Sequence, residues 1–185
     1  GGLVLARTRQ GNTITTQTVL VGVGVGPQVE LAEAAGLEVG NGIEVDALCR
    51  TSNPNVWAAG DVAEFPYLAL GRHARIEHWD HAKHHGFTAG ANMAGAERTY
   101  EHLPMFYSDF FDLGWEAVGD LDPSFEVEEV WKDEYREGVL FYLSNQVVRG
   151  VLLWNTWNKV DRARELILAA RTLTAEERAG AIEAD

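Results

Sequence analysis

Cysteine is nearly absent. Cys49 is the one cysteine in 185 residues, which excludes an intramolecular disulfide and a CxxC redox pair. Positive charge is scarce as well: 15 Lys and Arg stand against 28 Asp and Glu, for a net charge of -13. That balance argues against a duplex nucleic-acid binder, which needs a basic stripe, and against docking on an anionic membrane. No apolar run approaches the ~18 residues of a membrane span. The opening GGLVLARTRQG lacks a signal-peptide pattern and reads as the interior of a longer protein. What the chain does have is 46% hydrophobic residues, enough to bury a core.

β-Branched residues predict a strand over Asn12–Leu20, continued by Val21–Gly26 and stopped at Pro27. A short helix is expected over Val29–Ala35, ended by Gly36. Ile43–Val45 and Val56–Ala59 read as short strands, and Glu77–Ala94 as an alanine-rich helix. Beyond Gly95 the character changes. Strands are expected over Trp115–Leu121 and Phe125–Trp131, then a hairpin of Val139–Leu143 and Val147–Leu153 around Ser144-Asn145-Gln146. Two helices close the chain, the first capped by Asp161, the second by a Thr174/Glu177 capping box. Strands followed by helices suggest an α+β unit.

Thr51–Phe65, TSNPNVWAAGDVAEF, carries the most chemistry. Ala58, Ala59 and Gly60 are small enough for a ligand to lie against the backbone. Asp61 then offers a carboxylate where open α/β sheets bind cofactors. This stretch resembles the second flavin fingerprint of FAD-dependent pyridine-nucleotide oxidoreductases. Other segments follow in the order that family uses. Gly24-Val25-Gly26-Pro27 resembles the crossover from the NAD domain to the FAD domain. Arg75–Ala82, RIEHWDHA, resembles the helix start beside the flavin. Met105–Asp109, MFYSD, is similar to the MFWSD segment of ferredoxin reductases and apoptosis-inducing factors. Val151–Asn155, VLLWN, is similar to a C-terminal strand of the latter.

The resemblance implies an α/β fragment of an FAD-binding Rossmann-type domain, followed by an α+β C-terminal domain with an antiparallel sheet and terminal helices. Residues 1–26 would end an NAD-binding domain, 27–98 would be the C-terminal portion of the FAD domain, and 99–185 an interface or dimerisation domain. The family's N-terminal GxGxxG unit, which grips the FAD pyrophosphate, is not in this sequence. An N-terminal FAD- and NAD-binding portion is thus the first expected partner, with an unidentified electron acceptor and a second copy of the chain as others. FAD and NAD(P)H are the implied cofactors. Asp61 would hold the ribityl chain. Glu77 and His78 would face the nicotinamide side, with the backbone at Trp79 on the flavin. Tyr107 would lie against a ring system, Glu116 and Asn155 would bracket NAD groups, and Gly24 and Gly60 would give backbone access. The cytoplasm is the expected location, with the mitochondrion as the alternative.

His78, His81, His84 and His85 with Asp80 invite a metal reading, since pairs at three and four residues share a helix face. No HExxH or cysteine pattern accompanies them, and no metal is expected. Trp131, Trp154 and Trp157 are expected in the C-terminal core, and Cys49 as a small packed hydrophobe. Two functions compete: part of a hydride-transferring flavoenzyme, and a non-enzymatic interaction or dimerisation module.

Overall fold

A computed structural model describes residues 2–183. Its first elements, β1 (Val4–Arg7) and β2 (Thr13–Thr16), form an antiparallel hairpin from Val4 opposite Thr16 to Arg7 opposite Thr13. The strand expected to run on through Gly26 stops at Thr16. Val19–Val25 has no ladder partner among the described residues, and its apolar side chains lie in solvent. β-Branched residues favour a pleated, half-buried surface, and here nothing supplies the other half. Helix α1 (Glu30–Ala34) follows, and Gly36, at φ +73°, ends it with the Leu37 N–H donating to Ala32 O.

β3 (Ile43–Glu44) runs parallel to β4 (Ala63–Tyr67), and β5 (Arg72–Ala74) pairs antiparallel with β4. The strand expected at Val56–Ala59 is reduced to a single bridge between Arg50 and Trp57. Asn53 and Thr51 close this segment into a loop, with the Asn55 N–H on Asn53 Oδ1 and the Thr51 hydroxyl on Val56 O. The true strand starts after the Gly60-Asp61 bend, where Ala63, Phe65 and Tyr67 alternate inward.

Helix α2 (Trp79–Met93) begins two residues later than expected, because Glu77 lies before an extended His78 at the cap. His81, His85 and Ala89, spaced by four, put one helix face against Phe65 and Tyr100. Cys49 is wholly buried in the same core, as expected.

The second half is a five-stranded antiparallel sheet in the order β6-β7-β10-β9-β8. Its strands are β6 (Met105–Phe110), β7 (Leu113–Gly119), β8 (Glu126–Asp133), β9 (Glu137–Ser144) and β10 (Val147–Trp154). Val139, Phe141 and Leu143 alternate inward from β9, joined by Val148, Val151 and Leu153 from β10 across a bulge at Val148–Gly150. Asn145 and Gln146 both take positive φ, the geometry of a tight hairpin turn. Helix α3 (Val160–Ala169) covers the inner face with Ala163, Leu166 and Ile167, and α4 (Ala175–Glu183) packs on α3. The Thr174/Glu177 box closes as expected, with the Thr174 N–H on Glu177 and the Glu177 N–H on Thr174 Oγ1. Asp161 does not cap α3. It lies inside the first turn and pairs with Arg164 at 2.9 Å, while Lys159 holds the cap position. The tryptophans are not core residues either: Trp131 and Trp154 are half-buried and Trp157 is exposed, and aliphatic residues with Phe141 fill the interior. The fold is therefore an α/β portion followed by an antiparallel sheet with terminal helices.

Candidate functional site

Gly60 bends the chain at φ +75°, and a Cβ there would touch Ala82 of α2 at 3.4 Å. Its N–H donates to His85 Nδ1 at 3.3 Å, so a buried ring behind the bend fixes it. The bend carries Asp61 out of the core. Its side chain is exposed and has no hydrogen-bond partner among the described residues. Asp61, Arg75 and Glu77 share a cleft of about 480 Å³ whose other wall is Val25–Gln28. Arg75 spans it, donating to Asp61 O at 3.0 Å and pairing with Glu77 at 2.5 Å, while its Nε is buried without a partner. Gly24, at φ +83°, is exposed next to that wall.

His78 stacks on Phe106 of β6 with ring centroids 4.3 Å apart, and burial pushes its pKa down against the pull of nearby Glu77 and Asp61. Trp79 opens α2, mostly exposed, with Lys83 over its ring. The first turn of α2 presents N–H groups that have no helical partner, the positive end of the helix dipole. Tyr107 is exposed on β6 directly opposite Glu116 on β7. Burial raises the Glu116 carboxyl, and its Oε2 is buried and unpartnered. Glu116 and Trp79 line a second cleft, of about 470 Å³, with Met105, Asp161 and Arg164.

The structure thus gathers Asp61 and Glu77 in one cleft, Trp79 and Glu116 in another, and sets His78 in the α2 cap position with Tyr107 across from Glu116. Asn155 stands apart from both clefts. Its Oδ1 accepts from the Gly114 N–H at 2.7 Å, and its Nδ2 donates to Arg136 O at 2.9 Å and Asp112 O at 3.3 Å. It ties two hairpin ends to the end of β10. A further cavity of about 360 Å³, between β8–β9 and α4, is lined by Trp131 but by none of the residues expected at the cofactor site.

Four of the six histidines fall into two groups. His81 and His85 are sealed in the core, where burial, and for His81 also its neighbour His85, holds them neutral down to about 3 and about 4. His84 instead meets Asp80 and His102 at the surface. Sequence reasoning missed Arg75 and His102 as site residues, and considered His85 for a metal and not as the support of the Gly60 bend. Arg75 lies two residues before Glu77 and could have been found as its partner. His102 reaches Asp80 from a loop 22 residues away, and no local pattern reveals that contact.

Comparison with known proteins gives the family and the fold. Residues 2–86 match the family described as pyridine nucleotide-disulphide oxidoreductase. Residues 89–133 and 126–169 match the mitochondrion-associated C-terminal domain of apoptosis-inducing factor. The ferredoxin–NAD(+) reductase component of the anthranilate 1,2-dioxygenase system of Burkholderia cepacia is 44% identical over 119 residues, covering 64% of this chain and 29% of that protein. Apoptosis-inducing factor 1, mitochondrial, of Dictyostelium discoideum is 33% identical over 189 residues, covering 93% of this chain and 35% of that protein. Among solved structures, the ferredoxin reductase of Rhodopseudomonas palustris superposes with a TM-score of 0.84 at 31% identity, covering 95% of this chain and 43% of that one. The chain spans about a third of the length of these two curated relatives. Matched along nearly its whole length in sequence and in fold, the chain belongs to the pyridine nucleotide-disulphide oxidoreductases, on their apoptosis-inducing-factor-like branch.

Proposed function

We propose that this chain supplies one wall of the FAD site, and the nicotinamide-facing surface beside it, in an NAD(P)H-dependent oxidoreductase that passes electrons to a separate redox protein. The observation that carries this reading is the cleft at the Gly60 bend. It offers an unpaired carboxylate, a guanidinium in its lining and a nearby helix N-terminus, a donor and acceptor set that fits a polyhydroxylated, anionic dinucleotide. FAD, when bound, accepts hydride from the nicotinamide and releases the electrons onward.

The chain's own part is binding and electrostatics. Asp61 accepts hydrogen bonds from ribityl hydroxyls, Gly24 leaves room for backbone approach, and Gly60, packed on Ala82, sets the bend rather than opening space for a ligand. Arg75 holds the Asp61 carbonyl in place and keeps Glu77 from turning away. The N–H groups around Trp79 favour negative charge on a ring held at the helix end. His78, kept neutral by burial and stacked on Phe106, gives a flat floor without adding a charge. Tyr107 offers an exposed ring face to the nicotinamide, and Glu116 a carboxyl at its edge. Asn155 acts through the hairpin ends it holds. The cytoplasm is the proposed location; the Dictyostelium relative is mitochondrial by name, and cell fractionation decides between the two.

The test uses the full-length protein. It should purify with bound flavin, and NADH or NADPH should bleach the visible flavin band. Asp61→Ala should weaken FAD retention by ~10- to 100-fold, the value of hydrogen bonds to a charged group. A colourless protein that takes up no FAD on reconstitution would overturn the reading.

A further inference from the structure

Asp80, His84 and His102 offer one ligand atom each, and these atoms all lie within 4.8 Å of one another. The group is assembled from two directions. Asp80 and His84 are one helical turn apart on α2, and His102 comes from the loop that leads into β6. His84 Nδ1 lies 2.8 Å from the Asp80 main-chain O and 3.2 Å from Asp80 Oδ1, and His102 Nε2 is 2.6 Å from Asp80 Oδ2. The imidazoles stack with centroids 3.9 Å apart, so both rings present a nitrogen to the same residue, His102 to the Asp80 carboxylate and His84 to its main-chain O with the carboxylate just beyond.

We propose that Asp80, His84 and His102 bind a divalent first-row transition-metal ion of the zinc type. Two imidazole nitrogens and one carboxylate suit Zn²⁺, Co²⁺ or Ni²⁺ and are a poor set for Mg²⁺ or Ca²⁺, which prefer all-oxygen shells. Tetrahedral coordination at about 2.0–2.1 Å places ligand atoms roughly 3.4 Å from one another. The short His102–Asp80 contact must open and the widest separation must close, each by about 1 Å or so. His84 can follow because its side chain is 42% exposed. On binding, the metal replaces the ring protons that face Asp80, and each imidazole carries its remaining proton on its other nitrogen.

The site has a supported acid and an open side. Asp80 Oδ2 also accepts from the Met105 N–H at 3.0 Å, so the carboxylate is oriented from behind. His84 and His102 border a cleft of about 430 Å³ that also holds Glu101 and Tyr100, which leaves the fourth position to water or an exogenous ligand. Arg164 limits the affinity. Its Nη2 lies 3.3 Å from Asp80 Oδ2 and 3.5 Å from His102 Nε2, and its charge opposes the cation. The guanidinium is anchored independently, through Nε to Leu103 O and through Nη1 to Asp161, so it shares the carboxylate without having to leave. The bound ion would fasten α2 to the start of β6. This proposal does not depend on the flavin reading and can fail or stand without it.

Cobalt chloride titrated into the EDTA-treated full-length protein tests it. One saturable Co²⁺ per chain is expected, with visible d–d absorption, displaced by Zn²⁺. His84→Ala, which removes a half-exposed ring, should weaken binding at least tenfold with the circular dichroism unchanged. Nitrogen-15 spectra of the histidine rings provide a second readout without mutation: Zn²⁺ should shift His84 and His102 and leave His73 in place. No saturable binding at millimolar cobalt, or binding that His84→Ala and the ring spectra show to lie elsewhere, overturns the proposal.

Discussion

His85 shows how a single residue can join the core to the candidate site. One ring nitrogen accepts from the Gly60 N–H and so must be unprotonated, while its other nitrogen is buried without a partner. His81 is in a similar position, with Nδ1 on the Tyr100 hydroxyl at 2.9 Å and Nε2 unpartnered. Neither ring can take a second proton without placing a charge in a core of Phe65, Tyr67 and Tyr100. Unfolded histidine titrates near 6.5, whereas the folded rings stay neutral to about 3 and about 4. The unfolded chain therefore takes up protons first as the pH falls. The stabilisation is complete above pH 6.5 and is lost progressively toward pH 4, on the order of 3 kcal/mol for each ring at that end. Such a loss is a large part of a domain's stability. Asp80 acts in a lower window: burial pushes its carboxyl up, but the His102 hydrogen bond and the Met105 N–H outweigh that, and its contribution fades only below the usual carboxylate range. Urea unfolding followed by circular dichroism should show a midpoint that falls steadily from pH 7 to 5. A flat midpoint over that interval would contradict this account of the two rings.

At the scale of elements, what was legible in the sequence depended on how local the cause was. The second hairpin, β9–β10, was read correctly because alternation and a polar turn lie within one short window. The Thr174/Glu177 box was legible for the same reason, and Thr174→Ala should lower stability by about 1 kcal/mol in chemical denaturation. The strand at Val56–Ala59 was misread because β pairing needs a neighbour, and the neighbour chose the residues after the bend. Asp61 and Glu77 were singled out by motif, but their shared cleft depends on Arg75, and the Asp80 cluster on a loop contact that no periodicity encodes. Gly119 shows the same limit. It falls inside the strand expected over Trp115–Leu121, yet it ends β7 at φ +84°, and a Cβ there would clash with Arg149 O and lie 2.7 Å from Ile167 Cδ1. β7, β10 and α3 meet at that point. Gly119→Ala should therefore destabilise by about 1–3 kcal/mol from the left-handed conformation alone, with the clash added. A melting temperature within a degree or so of the parent would show that the strand end relaxes freely.

At the scale of the molecule, the two halves differ in how well they cover themselves. The five-stranded sheet has α3 on its inner face, and ties such as Arg72–Asp120 and Arg149 to Leu70 O fasten it to the β4–β5 hairpin. Residues 19–31 have no such cover. Leu20 is 97% exposed, Val23 87%, Val25 78% and Leu31 86%. Scattered exposed apolar residues are ordinary, but a continuous run of this kind marks a contact surface. Its neighbour is the cleft at Asp61, whose far wall is Val25–Gln28. A surface that covers the run would therefore also close the proposed cofactor site. The net charge of -13 opposes association of copies, but at physiological salt it is screened beyond about 8 Å and does little against direct apolar contact. Residues 1–185 prepared alone should bind a hydrophobic dye and self-associate in a concentration-dependent way. Leu20→Ser with Val23→Ser should reduce both, without changing the sheet signal in circular dichroism, because neither side chain touches the core. A monomeric, dye-silent preparation of residues 1–185 would mean that the run folds back on the chain itself, and that the cleft at Asp61 needs no second wall.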